Sequence, residues 1–285
     1  MNAANSVEFR DLPERALPRS LAERTKLVTL PVDGGIPALL VHPDHATDAP
    51  VFIWMHGRTV DKFLDPGRYS RLVRAGIAVC AIDLPGHGER ISLLDQPKLH
   101  DPAHSLGVIA QAAAEIDGVV RTLGSLAGFD VTRVALGGMS LGGMVTLRRL
   151  CDAHGFACAA VEATSGNLAG LYFDDGSPRA AWPVEHTPAD VAPADPMQHL
   201  DTFDPLPMLV LHSEADEMVP WPTQKVFLDR LAARYAAAGA DPGLVSVRTW
   251  PTTGAPAEHV GFGSVSHEAK TLQTEFLTNQ LGVTA

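Results

Sequence analysis

Short apolar runs recur along the chain, and the stretches between them carry apolar residues at helical spacing. Residues 6–10 read as a strand, and Lys26–Val32 with Ile36–His42 read as a hairpin closed by the Asp33-Gly34-Gly35 turn. Val51–Met55 is apolar at every position, as a strand buried on both faces would be. A helix over Tyr69–Ala75 stops at Gly76, and Ile77–Ile82 is a second buried strand. Leu106–Leu126 is alanine-rich and helical, Val131–Leu136 is a strand, Leu141–His154 a helix and Ala157–Ala163 a strand. The pattern then fails over residues 165–205, which are rich in Pro, Asp and Gly. It resumes with a strand at Leu206–His212, a helix at Pro222–Ala238, a strand at Leu244–Trp250 and a closing helix at Glu268–Leu281. Strands alternating with helices predict an α/β fold: a mostly parallel central sheet with an antiparallel N-terminal edge and helices on both faces. No internal repeat interrupts it, and one domain over residues 1–285 is expected.

The stretch from Val131 to Arg149 carries the most chemistry. It runs from a strand pattern into a helix pattern through Gly138-Met139-Ser140-Leu141-Gly142, a G-x-S-x-G. The string alone is weak, since about one chain in ten of this length would contain it by chance. Its position is the informative part, because a nucleophile elbow requires a strand before the serine and a helix after it. Glycines flank such a serine because side chains there would collide with the neighbouring strand and helix. The helix start also presents unpaired backbone N–H groups to an oxyanion formed beside the serine.

Composition narrows the partners. A net charge of −11 argues against a nucleic-acid partner and gives no attraction to anionic membranes. No apolar run approaches the ~18 residues of a membrane span. The N-terminus has neither the basic nor the apolar region of a secretory signal, so a cytoplasmic protein is expected. Cys80, Cys151 and Cys158 lack regular spacing and read as buried thiols, with no metal site and no cofactor implied. The oligomeric state, monomer or homodimer, is left open.

In an open α/β sheet, sites form outside the carboxyl ends of the strands. His56-Gly57-Arg58 follows one such end; the Arg58 backbone N–H would join that of Leu141 as a pair of oxyanion donors, while the His56 ring reads as a loop anchor. After Leu206–His212 the acids Glu214, Asp216 and Glu217 compete to orient a catalytic histidine. After Leu244–Trp250 comes His259 on a loop rich in Pro, Gly and Thr, with His267 near the start of the closing helix as its competitor. A loop past a strand end can carry a general base back to the serine, which favours His259.

The His-Gly at Gly57, DLPGHGER at Asp83–Arg90, GGMSLGG at Gly137–Gly143, EADEMVP ending at Pro220 and EHVGF around His259 together resemble the α/β-hydrolase superfamily. The nearest likeness is to its dienelactone-hydrolase-like and prolyl-oligopeptidase-like esterases, from about residue 26 onward. The resemblance implies Asp216 as the acid and the chain order Ser140, Asp216, His259. It implies a structural His87, and Glu89 and Arg90 as a local ion pair or loop anchor. Two features depart from the pattern. The nucleophile is Ser where dienelactone hydrolases can carry Cys, which points to an ordinary esterase; and His259 follows Ala257-Glu258 in place of a small or glycine pair.

Residues 165–205 would be a short lid, inserted after the sixth strand, with Tyr172, Phe173 and Trp182 lining an apolar substrate pocket beside Met218, Trp221, Phe63 and Leu64. The expected activity is hydrolysis of small-molecule carboxylic esters with small-to-medium acyl groups, through an acyl-enzyme. The same triad would equally suit a peptidase, thioesterase or carbon–carbon bond hydrolase, and the fold alone would suit a catalytically silent binding protein.

Overall fold

A computed structural model describes residues 6–13, 16–44, 46–92, 98, 101–173 and 186–283. Its strands are β1 (Glu8–Arg10), β2 (Thr25–Leu30), β3 (Ile36–Val41), β4 (Ala49–Met55), β5 (Ala78–Ile82), β6 (Phe129–Met139), β7 (Cys158–Glu162), β8 (Met208–Ser213) and β9 (Val245–Trp250). They form one nine-stranded sheet in the order β1-β2-β3-β5-β4-β6-β7-β8-β9. The first three strands and the β3–β5 pair are antiparallel, and from β5 across to β9 every pair is parallel. This is the α/β-hydrolase fold. Because β4 lies between β5 and β6, the strand order reverses there, and the crevice that such a reversal opens lies at the carboxyl ends of β4 and β6.

The uninterrupted apolar run of β4 follows from its place in the middle of the sheet. Val51, Ile53 and Met55 enter the core on one face, among residues of α3 (Pro102–Gly124) and α4 (Leu141–Arg149). Phe52 and Trp54 enter the core on the other, beside α2 (Pro66–Arg74) and α8 (Ser266–Gln280). Strand side chains point alternately to the two faces, so a strand covered on both faces has no polar positions.

Helix boundaries follow the capping chemistry more closely than the apolar period. Helix α3 starts at Pro102, ahead of the expected Leu106, because Asp101 caps it by accepting the Ala103 N–H and proline fits the first turn. Helix α4 ends at Arg149, short of His154, where the Arg149 guanidinium turns back onto the carbonyls of Asp152 and Ala153. Gly76, at φ +88°, closes α2 as its spacing predicts. None of the described helices is long and apolar enough to cross a membrane.

The insertion expected after the sixth strand follows the seventh, β7. Its described parts are compact, with α5 (Ala169–Tyr172), α6 (Pro188–Val191) and a 3₁₀ turn at Pro196–Thr202. They gather around the buried Asp195 carboxylate, which accepts the N–H groups of Leu168, Ala169 and Met197. The three cysteines are unpaired and buried, and burial pushes each thiol up to about 12.

Two alanine substitutions test the packing in opposite directions. A Cβ at Gly137 would lie 2.4 Å from the Ala160 carbonyl oxygen and 2.6 Å from the Phe52 ring, so Gly137→Ala should destabilise by about 1–3 kcal/mol. At Gly107, in α3, a Cβ meets nothing within 4 Å. Gly107→Ala should therefore stabilise by about 0.5–1 kcal/mol through helix propensity. Denaturant unfolding followed by circular dichroism reads both.

Candidate active site

Ser140 lies between β6 and α4, at φ +51° and ψ −118°, a backbone conformation that costs a non-glycine residue about 1–2 kcal/mol. The surroundings hold it there. Its N–H donates to the Glu162 carbonyl at 2.8 Å, and its own carbonyl accepts the Thr164 hydroxyl at 2.7 Å and the Met144 N–H at 3.0 Å. The glycines of the motif are required by backbone approach. A Cβ on Gly142 would sit 2.2 Å from the Met55 carbonyl oxygen, and one on Gly138 would sit 2.3 Å from the Gly142 carbonyl carbon.

Behind the elbow, the Glu162 side chain is buried and paired with both terminal nitrogens of Arg68 at 2.7 and 2.8 Å. Gln273 donates to it at 3.0 Å, and the Arg68 guanidinium lies 4.0 Å from the Trp54 ring. The residue that receives the Ser140 N–H is thus tied to α2 and α8.

The Ser140 hydroxyl lies 2.8 Å from His259 Nε2, and His259 Nδ1 lies 2.7 Å from Asp216 Oδ2. The other carboxylate oxygen, Oδ1, accepts the N–H groups of Met218 and Val219, both at 2.8 Å. Asp216 accepts at both oxygens, which assigns the proton of His259 to Nδ1 and leaves the Nε2 lone pair facing the serine. The competing acids face elsewhere. Glu214 is exposed and accepts the Thr249 hydroxyl, and Glu217 is exposed as well. His267 stands on α8, 2.8 Å from an Arg71 guanidinium nitrogen and outside the site.

Sequence reasoning missed two neighbours of this chain of hydrogen bonds. His212 is fully buried, with Nε2 2.8 Å from the Val219 carbonyl oxygen and 3.6 Å from Asp216 Oδ2. Glu258, next to the histidine, accepts hydrogen bonds from Ser213, Thr253 and Gly254. His212 ends the same apolar run that leads to Asp216, so its position was visible although its contact was not.

A cavity of about 310 Å³ opens over Ser140. Val60, Leu64, Met139, Met218, Val219 and Val260 form apolar wall, and Arg58, Leu141 and His259 also line it. Of the aromatic wall candidates, Tyr172 and Phe173 belong to the core instead. Helix α5 docks by its own apolar face, and the Tyr172 hydroxyl donates to the Pro102 carbonyl. Trp221 packs against His212 with ring centroids 5.3 Å apart and the rings tilted at 47°, and Phe63 packs against the core on the opposite face of the sheet. Met218 and Leu64 do line the cavity; Trp182 lies outside the described residues.

The loop motifs act as anchors. The His56 ring is 2.6 Å from the Gly57 carbonyl oxygen at Nδ1 and accepts the Leu84 N–H at Nε2, so it bridges the ends of β4 and β5 as a neutral imidazole. His87 is buried against the Pro85 carbonyl. Glu89 and Arg90 do not pair with each other: Glu89 pairs with Lys62 and Arg10, and Arg90 with Glu115.

Residues 38–277 match the Alpha/beta hydrolase family, and the chain belongs to that family. Among curated proteins none is significantly similar to it. An esterase of Pyrococcus furiosus shares 17% identity over 96% of this chain and 100% of its own, with a TM-score of 0.65. A Klebsiella pneumoniae protein provisionally described as a dienelactone hydrolase shares 18% over 88% of this chain and 96% of its own, at a TM-score of 0.62. A puromycin-hydrolysing peptidase of Mycobacterium tuberculosis shares 18% over 92% of this chain at a TM-score of 0.67, but the match spans only 40% of the peptidase.

The neutral His56 gives the fold a pH dependence. Burial lowers its pKa from 6.5 to about 4. Between those values the unfolded chain binds the proton and the folded chain does not, so stability falls as pH drops through that window. Burial shifts His87 and His212 in the same direction. The melting temperature should therefore decline from pH 7 toward pH 4, and His56→Asn should make the decline shallower. An unchanged slope in that variant, measured by scanning calorimetry, would contradict the assignment.

Proposed function

We propose that this protein is a serine hydrolase of carboxylic esters with small-to-medium acyl groups. The observation that carries the reading is the Ser140–His259–Asp216 hydrogen-bonded chain opening into an apolar cavity. Ser140 Oγ attacks the ester carbonyl while His259 Nε2 takes its proton, and Asp216 stabilises the imidazolium that forms. The backbone N–H groups of Arg58 and Leu141 receive the oxyanion; Leu141 opens α4, so its N–H has no partner within the helix. The imidazolium returns the proton to the leaving alcohol. Water, activated in turn by His259, releases the acid and restores the serine.

The cavity favours an ester over a peptide with a free amino terminus. Among the described residues that line it, Arg58 and His259 are the titratable ones, and no carboxylate is present to receive an ammonium. Leu64, Met218 and Val260 are exposed as well as lining, so the apolar surface continues outward from the mouth.

A fluorophosphonate probe should label Ser140 and no other serine, read by mass spectrometry of the treated protein. Ser140→Ala and His259→Ala should each lower kcat by about 10³-fold or more, and the double variant should lose little beyond either, since such residues act as a unit. His267→Ala should stay within about tenfold of wild type, a loss of no more than roughly 1.4 kcal/mol. Wild-type turnover in Ser140→Ala would overturn the reading.

Acyl preference is a separate readout. On p-nitrophenyl esters of rising chain length, Met218→Ala should shift the preferred length, because a methylene in an apolar pocket is worth about 1–3 kcal/mol of discrimination. Phe173→Ala should leave the profile unchanged.

A further inference from the structure

The loop that presents His259 has a backbone it would not adopt unaided. Ala257 and Glu258 are consecutive non-glycine residues, both at φ +52°. Residues with side chains enter that region singly and rarely, and they remain there only where their surroundings over-determine the geometry. Here the surroundings are the donors around one carboxylate. Glu258 Oε2 accepts the Ser213 hydroxyl at 2.9 Å, the Thr253 hydroxyl at 2.7 Å and the Thr253 N–H at 2.5 Å, and Oε1 accepts the Gly254 N–H at 2.8 Å.

Ser213 is the last residue of β8, three positions before the acid Asp216, while Thr253 and Gly254 follow β9. A second tie runs beside it, from the Glu217 N–H to the Ala257 carbonyl at 3.1 Å. The acid loop and the base loop are thereby held to each other. No cation pairs with Glu258 among the described residues, so neutral dipoles carry its charge. The Thr253 N–H, foremost among them, draws the carboxyl down to about 2.

We propose that Glu258 is a positioning residue, whose carboxylate locks the His259 loop to the end of β8 so that the imidazole spans Asp216 and Ser140 at hydrogen-bonding distance from both. The inference rests on the reading of Ser140 and His259 given under Proposed function. It explains why a charged side chain precedes the base: a carboxylate offers acceptors in every direction that a converging N–H or O–H takes. Glutamine of the same length would turn an NH₂ group toward one of those donors.

The test compares Glu258→Gln in the wild-type and His259→Ala backgrounds, with p-nitrophenyl acetate as substrate. In the wild-type background kcat should fall by about 10–100-fold, since displacement of a reacting group by ~1 Å costs that much, while KM stays within about threefold. In the His259→Ala background the substitution should change residual turnover by less than about twofold, because what remains comes from the oxyanion site and binding. Ser213→Ala, a milder change that removes one of the four hydrogen bonds, should move kcat the same way by a smaller factor. It keeps the test alive if Glu258→Gln does not fold. Equal losses in both backgrounds, or unchanged kcat in the wild-type background, would overturn the inference. A readout independent of substrate is the deshielded His259 Nδ1 proton in NMR spectra, which should be present in the wild type and lost or broadened in Glu258→Gln; its persistence in the variant would overturn the inference. Absence of fluorophosphonate labelling on wild-type Ser140 would instead overturn the hydrolase reading, and the NMR signal separates the two failures.

Discussion

Backbone meets backbone at the centre of this molecule, and the rest of the site is arranged around that approach. Helix α4 comes so near the ends of β4 and β6 that no side chain fits at Gly138 or Gly142. The Gly142 N–H reaches the His56 carbonyl at 3.1 Å, which joins the helix after Ser140 to the strand end that carries Gly57 and Arg58. Ser140 is then forced to positive φ, and its hydroxyl stands clear of its own helix. The strain is local while its support is distributed, through Glu162 and Thr164 on one side and His56 on the other.

Buried charge does a related job on the far face of the sheet. The Arg68–Glu162 pair joins α2 to the end of β7, and the Lys62–Asp83 pair joins the loop after β4 to the loop after β5. Both are almost fully enclosed. Pairs of this kind add little net stability compared with apolar packing, yet removing one partner leaves an uncompensated charge at a cost of about 3–5 kcal/mol. They therefore penalise misplacement more than they reward folding, which suits loops that must end at defined points around a serine.

The parts of the fold legible in the sequence were those written in short-range pattern. Continuous apolar runs marked the buried strands, and the glycine spacing around Ser140 marked the elbow, because in both cases the constraint acts on neighbours in the chain. His259 and Asp216 were readable as positions past strand ends, and these two, not His267, Glu214 or Glu217, lie within hydrogen-bonding distance of one another and in line with Ser140. The aromatic wall was not legible. Whether Tyr172 faces a cavity or a core depends on how α5 rotates as it docks, and four helical residues carry too little period to fix that. Glu258 was readable only as an oddity beside the histidine, since its donors come from a strand end some 45 residues earlier and from a turn.

Ser140 and His259 are separated by 119 residues, with β7, β8 and β9 between them in both sequence and sheet. The elbow draws its backbone support from β4, β6, β7 and α4, all earlier in the chain than His259, and on the proposed assignment a serine without its base is no stronger a nucleophile than any other. If Ser140 and His259 act as proposed, chemical competence requires the last strand, whose following loop carries the histidine to the serine. On that assignment the order of the strands places the proposed nucleophile in the middle of the sheet and makes its reactivity answer to the edge.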